Sequence, residues 1–277
     1  MTDPVARSLA VARNKQLWDQ LVPMHLESEL YDVAGFKAGA NALGELELAE
    51  LGLVKGKRLC HLLCHFGLDT LSFARLGAEV TGYDISDKAL EAARDLAKDC
   101  GLEGTFIQGD IAEAGEKLSG PFDIVYMSWG VLGWISDLDR LVANIASWLA
   151  PGGVYYIIDC HPLVNALNEE WQPDKPCIAF AYNYEQRGDE TMAYTFEGYA
   201  GSTESFAERT AYDWAHGLGR LVTAVAKAGL RVDFLHEHDK LAWQQLDCML
   251  DDGEGYWYMP PGAPRLPVSF SLRAVKA

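Results

Sequence analysis

No run of about 20 apolar residues occurs in this 277-residue chain, so no membrane-spanning helix is expected. Positive charge is scarce. Against 40 Asp and Glu stand 23 Lys and Arg, a formal balance of −17. A field of that sign repels phosphate backbones, which argues against nucleic acid as a partner. The six cysteines, Cys60, Cys64, Cys100, Cys160, Cys177 and Cys248, include no Cys-x-x-Cys pair and read as small buried hydrophobes. Cys60, His61, Cys64 and His65 lie close together, but neighbouring strand residues point to opposite faces, so one metal ion does not easily collect all four. His236 and His238 would share a strand face without an evident third ligand, and no metal is expected. The opening Met1-Thr2-Asp3-Pro4 has neither the basic nor the apolar region of a signal peptide, which makes the cytoplasm the expected compartment.

Apolar residues make up 49% of the chain, enough for a large core in one α/β domain. The chain is organised around residues 59–86. An apolar run, Leu59-Cys60-His61-Leu62-Leu63, ends in a tight Cys64-His65-Phe66-Gly67 turn. A helix-patterned segment follows, with Leu68, Leu71 and Leu76 on one face and Gly77 as its expected stop. A second strand, Val80-Thr81-Gly82-Tyr83, then delivers Asp84. Such a unit suits a nucleoside, with helix N-terminal amides at the first turn and a carboxylate for two ribose hydroxyls at the second strand's end. A nicotinamide-binding turn needs Gly-x-Gly-x-x-Gly so that backbone can approach a pyrophosphate. Only Gly67 is present here, with Leu63 and His65 where small residues would sit, which counts against a nicotinamide-dependent oxidoreductase.

Further strands and helices follow in regular order. Ser86 is placed to cap a helix carrying Leu90, Ala93, Ala97 and Cys100 on one face, with Gly101 as its stop. A third strand, Thr105-Phe106-Ile107-Gln108, runs into Gly109-Asp110-Ile111. The fourth, Phe122 to Met127, is mostly apolar, as a buried parallel strand should be, and ends at Ser128-Trp129-Gly130. Asp137 opens a helix that Leu149-Ala150-Pro151-Gly152-Gly153 breaks before a fifth strand, Val154 to Ile158. These motifs, about a hundred residues in the right order, resemble the class I S-adenosylmethionine-dependent methyltransferases. The usual acidic residue of the family's first strand is His61 here, and two of its three glycines are replaced.

The resemblance implies a Rossmann-like, seven-stranded, mostly parallel sheet with helices on both faces and an antiparallel last strand. It implies S-adenosyl-L-methionine as cofactor and a small molecule as substrate. The turn residues His61, Cys64, His65 and Gly67 would cup the amino acid end, Asp84 the ribose, and Asp110 the adenine amino group between Ile85 and Ile111. Ser128 and Trp129 would lie beside the reacting methyl group, since ligands of open α/β sheets bind outside the carboxyl ends of strands. An N-terminal cover would bring Tyr31 and Phe36 over the cofactor, or those rings staple the leading helices, expected at about 5–21 and 41–52, to the core.

One domain, 1–277, is expected in four parts: a helical cover (1–56), a cofactor-binding core (57–159), a substrate cap (160–215) and C-terminal elements (216–277). The cap is rich in aromatic residues, which argues against disorder, and an antiparallel pair is expected around 178–184 and 191–197. A helix is expected over 216–229 and a strand from Leu230 to Leu235. A last strand alternates Val268, Phe270, Leu272 and Ala274 with Ser269, Ser271 and Arg273. His161 and His216 are the candidate catalytic bases, because a neutral imidazole can take a proton near pH 7, and Asp159 is placed to orient either one. Trp129, Trp134, Trp171, Tyr199, Tyr212 and Trp214 are the expected rim rings. Rings of this kind favour a flat acceptor, an aromatic or indole-like metabolite of a specialised pathway, and stabilise a sulfonium. The degraded glycine turn keeps a cofactor-binding protein without turnover as the alternative.

Overall fold

The computed structural model describes residues 4–167, 183–185, 191–196 and 209–277. Three helices, α1 (Pro4–Glu27), α2 (Val33–Lys37) and α3 (Glu45–Leu51), precede the first strand. Then β1 (Arg58–Leu62), α4 (Leu68–Arg75), β2 (Glu79–Asp84), α5 (Asp87–Cys100) and β3 (Thr105–Gln108) form one half of a doubly wound sheet. The other half comprises α6 (Ala114–Lys117), β4 (Phe122–Ser128), α7 (Leu138–Trp148) and β5 (Leu149–Cys160), followed by α8 (Pro162–Asn165). Two strands of the cap, β6 (Met192–Thr195) and β7 (Thr210–Asp213), lead to α9 (Leu218–Lys227) and β8 (Leu230–His238). Three short strands, β9 (Lys240–Leu241), β10 (Leu250–Asp251) and β11 (Trp257–Tyr258), interrupt the chain before β12 (Ser269–Lys276).

The main sheet has seven strands in the order β3-β2-β1-β4-β5-β12-β8. β1 through β5 pair in parallel, and β12 runs antiparallel to both β5 and β8. This is the expected Rossmann-like sheet. Local signals end the helices where expected: Ser86 Oγ accepts from Ala89 N, Gly101 turns left-handed at φ 64°, and Asp137 accepts from Arg140 N.

Three differences have clear causes. α1 runs past 21 to Glu27, since Leu17, Leu21 and Val22 keep a buried stripe going. The expected strand at 191–197 is present as β6 but pairs with 210–213; most of its expected partner, 178–184, lies outside the described residues. Between β8 and β12 the chain folds into a three-stranded sheet whose Leu241, Leu246 and Met249 bury with Cys160, Val164 and Val268. Its strands are two residues long, too short for a period to show.

Candidate active site

The turn after β1 keeps a glycine-like backbone without the glycines. Leu63 (φ 56°) and His65 (φ 51°) both lie in the left-handed region, at the positions where small residues were missed in the sequence. For residues with a Cβ that conformation costs about 1–2 kcal/mol each, so surrounding contacts must enforce it. Cys64 N donates to Tyr83 O at 3.1 Å, His65 N to Asp84 Oδ2 at 2.8 Å, and Gly67 N to Cys64 O at 2.9 Å. Gly67 itself (φ 75°) opens α4, and a Cβ there would stand 3.0 Å from the Phe106 ring. The cradle's shape is conserved by hydrogen bonds rather than by residue type.

Asp84 ends β2 at the rim of this turn. Its second oxygen accepts from Ser86 N at 2.9 Å, and burial pushes its carboxyl up to about 6. Next to it lies a cavity of about 480 Å³ lined by Ile85, Gln108, Gly109 and Asp110 from the sheet and by Arg7, Val11 and Lys15 from α1. Asp110 caps the following 3-10 turn through Ala112 N (3.0 Å), and its other oxygen lies 3.4 Å from Arg7 Nη2. Ile111 does not line the cavity: as the first residue of that turn it packs into the main core with Ala114 and Leu118. The residues present fit a nucleoside. Its lining joins the apolar Val11, Ala12 and Ile85 to the Asp110 and Glu113 carboxylates and to Arg7, Lys15 and Lys117.

Helix α1 brings a cluster of packed rings against the turn. His25 Nδ1 and His65 Nε2 share a hydrogen bond at 2.9 Å, and burial lowers both imidazoles, His25 to about 4. Trp18 meets His65 edge-on at 5.2 Å, Trp134 at 5.4 Å and, tilted, Phe196 at 6.4 Å. Tyr31 lies 5.8 Å from His65 and 4.9 Å from Phe66, packed against the core that α4 and α5 share. Phe36 is not on the cleft. It is 2% exposed under the Arg75 guanidinium, in the core that α4 and α5 share, and so acts as a staple.

A polar seam runs behind the turn, between α3, α4 and the sheet. Ser128 Oγ donates to Asp69 Oδ2 at 2.8 Å, and Trp129 Nε1 donates to Glu47 Oε1 at 2.9 Å. Burial and the Glu47 charge push the Asp69 carboxyl up to about 7. Burial also raises Glu47. His61 is buried here against Thr70 Oγ1 (2.8 Å) and lowered by burial to about 3, so it carries no charge near neutrality. Trp243, from the segment before β12, meets Trp129 edge-on at 6.1 Å.

The two candidate bases differ. His161 caps α8, with Nδ1 accepting from Leu163 N (3.0 Å) and Nε2 reaching Glu237 at 3.0 Å, so both ring nitrogens are engaged. His216 donates Nε2–H to Ile135 O at 2.6 Å and is lowered by burial, which leaves a neutral ring with Nδ1 as its acceptor. Asp159 orients neither. Its oxygens accept from the amides of Gly130, Val131 and Leu132 at 2.6–3.0 Å, holding the turn after β4. Trp214 is 4% exposed and donates its amide to Gly133 O, and the Asn14 side chain of α1 donates to Tyr212 O and accepts from Tyr212 N. Trp134 donates Nε1–H to Gly130 O. Tyr199 and Trp171 lie outside the described residues. Sequence reasoning missed Trp18, His25, Glu47, Asp69 and Trp243. The first two sit on a helix read only for its apolar stripe, and Asp69 resembles any acid in a helix's first turn.

A seven-stranded sheet of this order, with a nucleoside cradle at the ends of its first three strands, defines the class I methyltransferase architecture. Residues 60–153 match the family model described as a methyltransferase domain. Residues 60–153 therefore carry the sequence pattern of a methyltransferase domain, on the fold of S-adenosylmethionine-dependent methyltransferases. An uncharacterised methyltransferase of Synechocystis sp. is 30% identical over 49% of this chain and 61% of its own length. A ubiquinone biosynthesis O-methyltransferase of Mesorhizobium japonicum is 32% identical over 41% of this chain. The chain spans 61% and 45% of these two relatives, less than two thirds of either. A crystal structure of an S-adenosylmethionine-dependent methyltransferase from Mesorhizobium loti superposes with a TM-score of 0.57 at 21% identity, covering 87% of this chain and 100% of that one. One from Clostridium acetobutylicum gives 0.54 at 14% identity, covering 95% and 97%. Both show the same fold. No described helix is long and apolar enough to cross a membrane.

Proposed function

We propose that this protein transfers a methyl group from S-adenosylmethionine to a small acceptor with a flat aromatic or heteroaromatic, indole-like nucleus. The observation that carries this reading is the cluster of rings at the turn, Tyr31 and Trp18 against His65, with Trp134 and Phe196 against Trp18. Bound cofactor supplies an electrophilic methyl sulfonium. The protein's share is to hold, orient and keep water out. The turn from Leu63 to Gly67 would hold the amino acid end, Asp84 the ribose hydroxyls, and Ile85 and Asp110 the base. Trp18 and His65 shield that turn from above.

Of the two histidines, His216 keeps Nδ1 as an acceptor and has the neutral state that a proton acceptor needs. His161 would act only by shaping the chain after β5. The O-methyltransferase relatives make phenols worth including among the acceptors tried.

The experiment is incubation with methyl-labelled S-adenosylmethionine and a panel of indoles, phenols and amines. Label transferred to at least one class, together with calorimetric binding of S-adenosylhomocysteine, bears the reading out. Binding without transfer to any acceptor would leave a cofactor-binding protein. His216→Ala should lower turnover more than cofactor affinity, and equal loss of both would make it a structural residue.

A further inference from the structure

Asp110 is held firmly on the sheet wall of the nucleoside cavity. Gly109 N donates to Asp84 O and the Tyr83 hydroxyl to Asp110 O, each at 2.9 Å, and a Cβ at Gly109 would collide with that hydroxyl. Asp110 Oδ1 accepts from Ala112 N, and Oδ2 is the oxygen that meets Arg7 Nη2 at 3.4 Å.

The facing wall is set just as firmly. Arg7, Val11 and Lys15 recur every four residues and so share the face of α1 that lines the cavity. Other positions of the helix are pinned elsewhere. Asn14 is bonded to Tyr212 O at 2.7 Å and Tyr212 N at 2.9 Å, and Asp19 accepts from Ser86 Oγ at 2.6 Å. Those bonds fix the rotation of α1. Lys15 is drawn to Asp19 and Asp87, each at 2.8 Å, and Lys117 donates to Gln108 O. Arg7 instead meets the carboxylate at the cavity.

A guanidinium nitrogen beside a carboxylate oxygen is a donor next to an acceptor. Adenine carries the complement, an amino donor next to a ring nitrogen that accepts, and a side-chain carboxamide reads that edge with both of its polar atoms. Arg7 and Asp110 present the carboxamide's pattern from separate side chains. A carboxylate oxygen has a second lone pair for the amino group while it holds Arg7, and the guanidinium has donors beyond the one that meets Asp110.

We propose that Arg7 is a specificity-determining residue of the cofactor site: its guanidinium donates to the ring nitrogen next to the adenine amino group, while Asp110 Oδ2 accepts from that amino group. This rests on the methyl-transfer reading, in which the cavity holds the cofactor's base, and it makes the first turns of α1 part of base recognition.

The test is calorimetric, on the full chain, with S-adenosylhomocysteine and its 1-deaza and 7-deaza analogues, each of which has a C–H in place of one ring nitrogen near the amino group. Arg7→Leu should weaken S-adenosylhomocysteine by at least about tenfold. One analogue should bind the unaltered protein about that much more weakly than S-adenosylhomocysteine does, yet bind Arg7→Leu as well as S-adenosylhomocysteine does, because the contact it lacks is already gone. Arg7→Lys keeps the charge without the planar fork and should recover only part of the loss. The Arg7–Asp110 pair is partly exposed, and pairs of that kind add little stability, so the urea midpoint of ligand-free Arg7→Leu should match that of the unaltered protein. If that variant does not fold, the analogues on the unaltered protein and on Arg7→Lys decide in the same way. Unchanged affinity in Arg7→Leu, or indifference of the unaltered protein to both nitrogens, would overturn the proposal and leave the methyl-transfer reading standing. So would an analogue penalty that persists undiminished without the guanidinium. If the unaltered protein does not bind S-adenosylhomocysteine at all, that reading and this proposal fall together.

Discussion

The two faces of the central sheet are built on opposite plans. One face presents Cys60, Leu62, Val125, Met127, Tyr155, Ile157, Phe270 and Leu272 to α6, α7 and α9, and these pack into a single dry core. The other sets the buried polar groups of His61, Tyr126, Ser128, Tyr156 and Ser271 among Leu59, Ile124 and Ile158, which pack with residues of α3 and α4. There Glu50 accepts from the Tyr156 hydroxyl and from His236 Nδ1, each at 2.7 Å, and Glu47 accepts from Trp129. A dry face stabilises by transfer and packing and tolerates nothing polar. A polar face gives up some of that stability for groups poised at the strand ends, where the chemistry lies. The same strands serve both, one residue apart.

If that division is real, substitutions on the two faces should separate stability from binding. The largest effect belongs to the dry face. Phe270 is wholly buried, and Phe270→Ala should cost about 3–5 kcal/mol in urea unfolding through lost transfer energy and a cavity. Its affinity for S-adenosylhomocysteine, measured where the protein is still folded, should barely change. A large loss of affinity would mean that the faces are coupled through β5 and β12. Asp84→Ala should do the reverse and weaken S-adenosylhomocysteine binding by about 1–3 kcal/mol, because ribose hydroxyls lose their acceptor. Some stability goes with it, since His65 N and Ser86 N lose their acceptor too. An unchanged dissociation constant would show that the cofactor lies in another register.

The dry face was legible in the sequence and the polar face was not. Apolar runs such as Phe122 to Met127 announced buried parallel strands, and the order of strands, Ser86, Gly101 and the Pro-Gly-Gly break announced the rest. Asp84 followed from spacing alone. The alternation of Ser269, Ser271 and Arg273 in the last strand marked two faces, and both serines are wholly buried. Period two records that neighbours face differently and says nothing of whether polar residues meet solvent or other polar groups. The missing glycines misled in a similar way, because Leu63 and His65 adopt the backbone that glycine would. Helix α1 brought Trp18 and His25 over the cleft through a tertiary contact that no local pattern encodes.

A smaller effect tests the cost of the polar face directly. The folded value of Asp69, about 7, lies above its ordinary 3.8, so between those values the folded protein holds a proton that the unfolded chain has released. Its stabilising share is whole below the lower value and is lost as pH rises to about 7. Asp69→Asn removes that loss. Its advantage over the unaltered protein in apo melts should grow between pH 4 and 7 and then stay level. An advantage that is flat with pH would show that Asp69 is solvated and ordinary.

The smallest effect lies at the seam where the faces meet. His161 touches the dry face, its ring edge-on to Phe270 at 6.3 Å, and faces Glu237 on the other side. Its Nδ1 caps α8, so His161→Ala should cost about 1 kcal/mol in thermal or urea unfolding, with S-adenosylhomocysteine affinity unchanged. Asn is among the best capping residues, and His161→Asn should recover most of that loss. If the Asn variant regains stability yet loses methyl transfer, the imidazole itself is required. His161, rather than His216, would then be the proton acceptor.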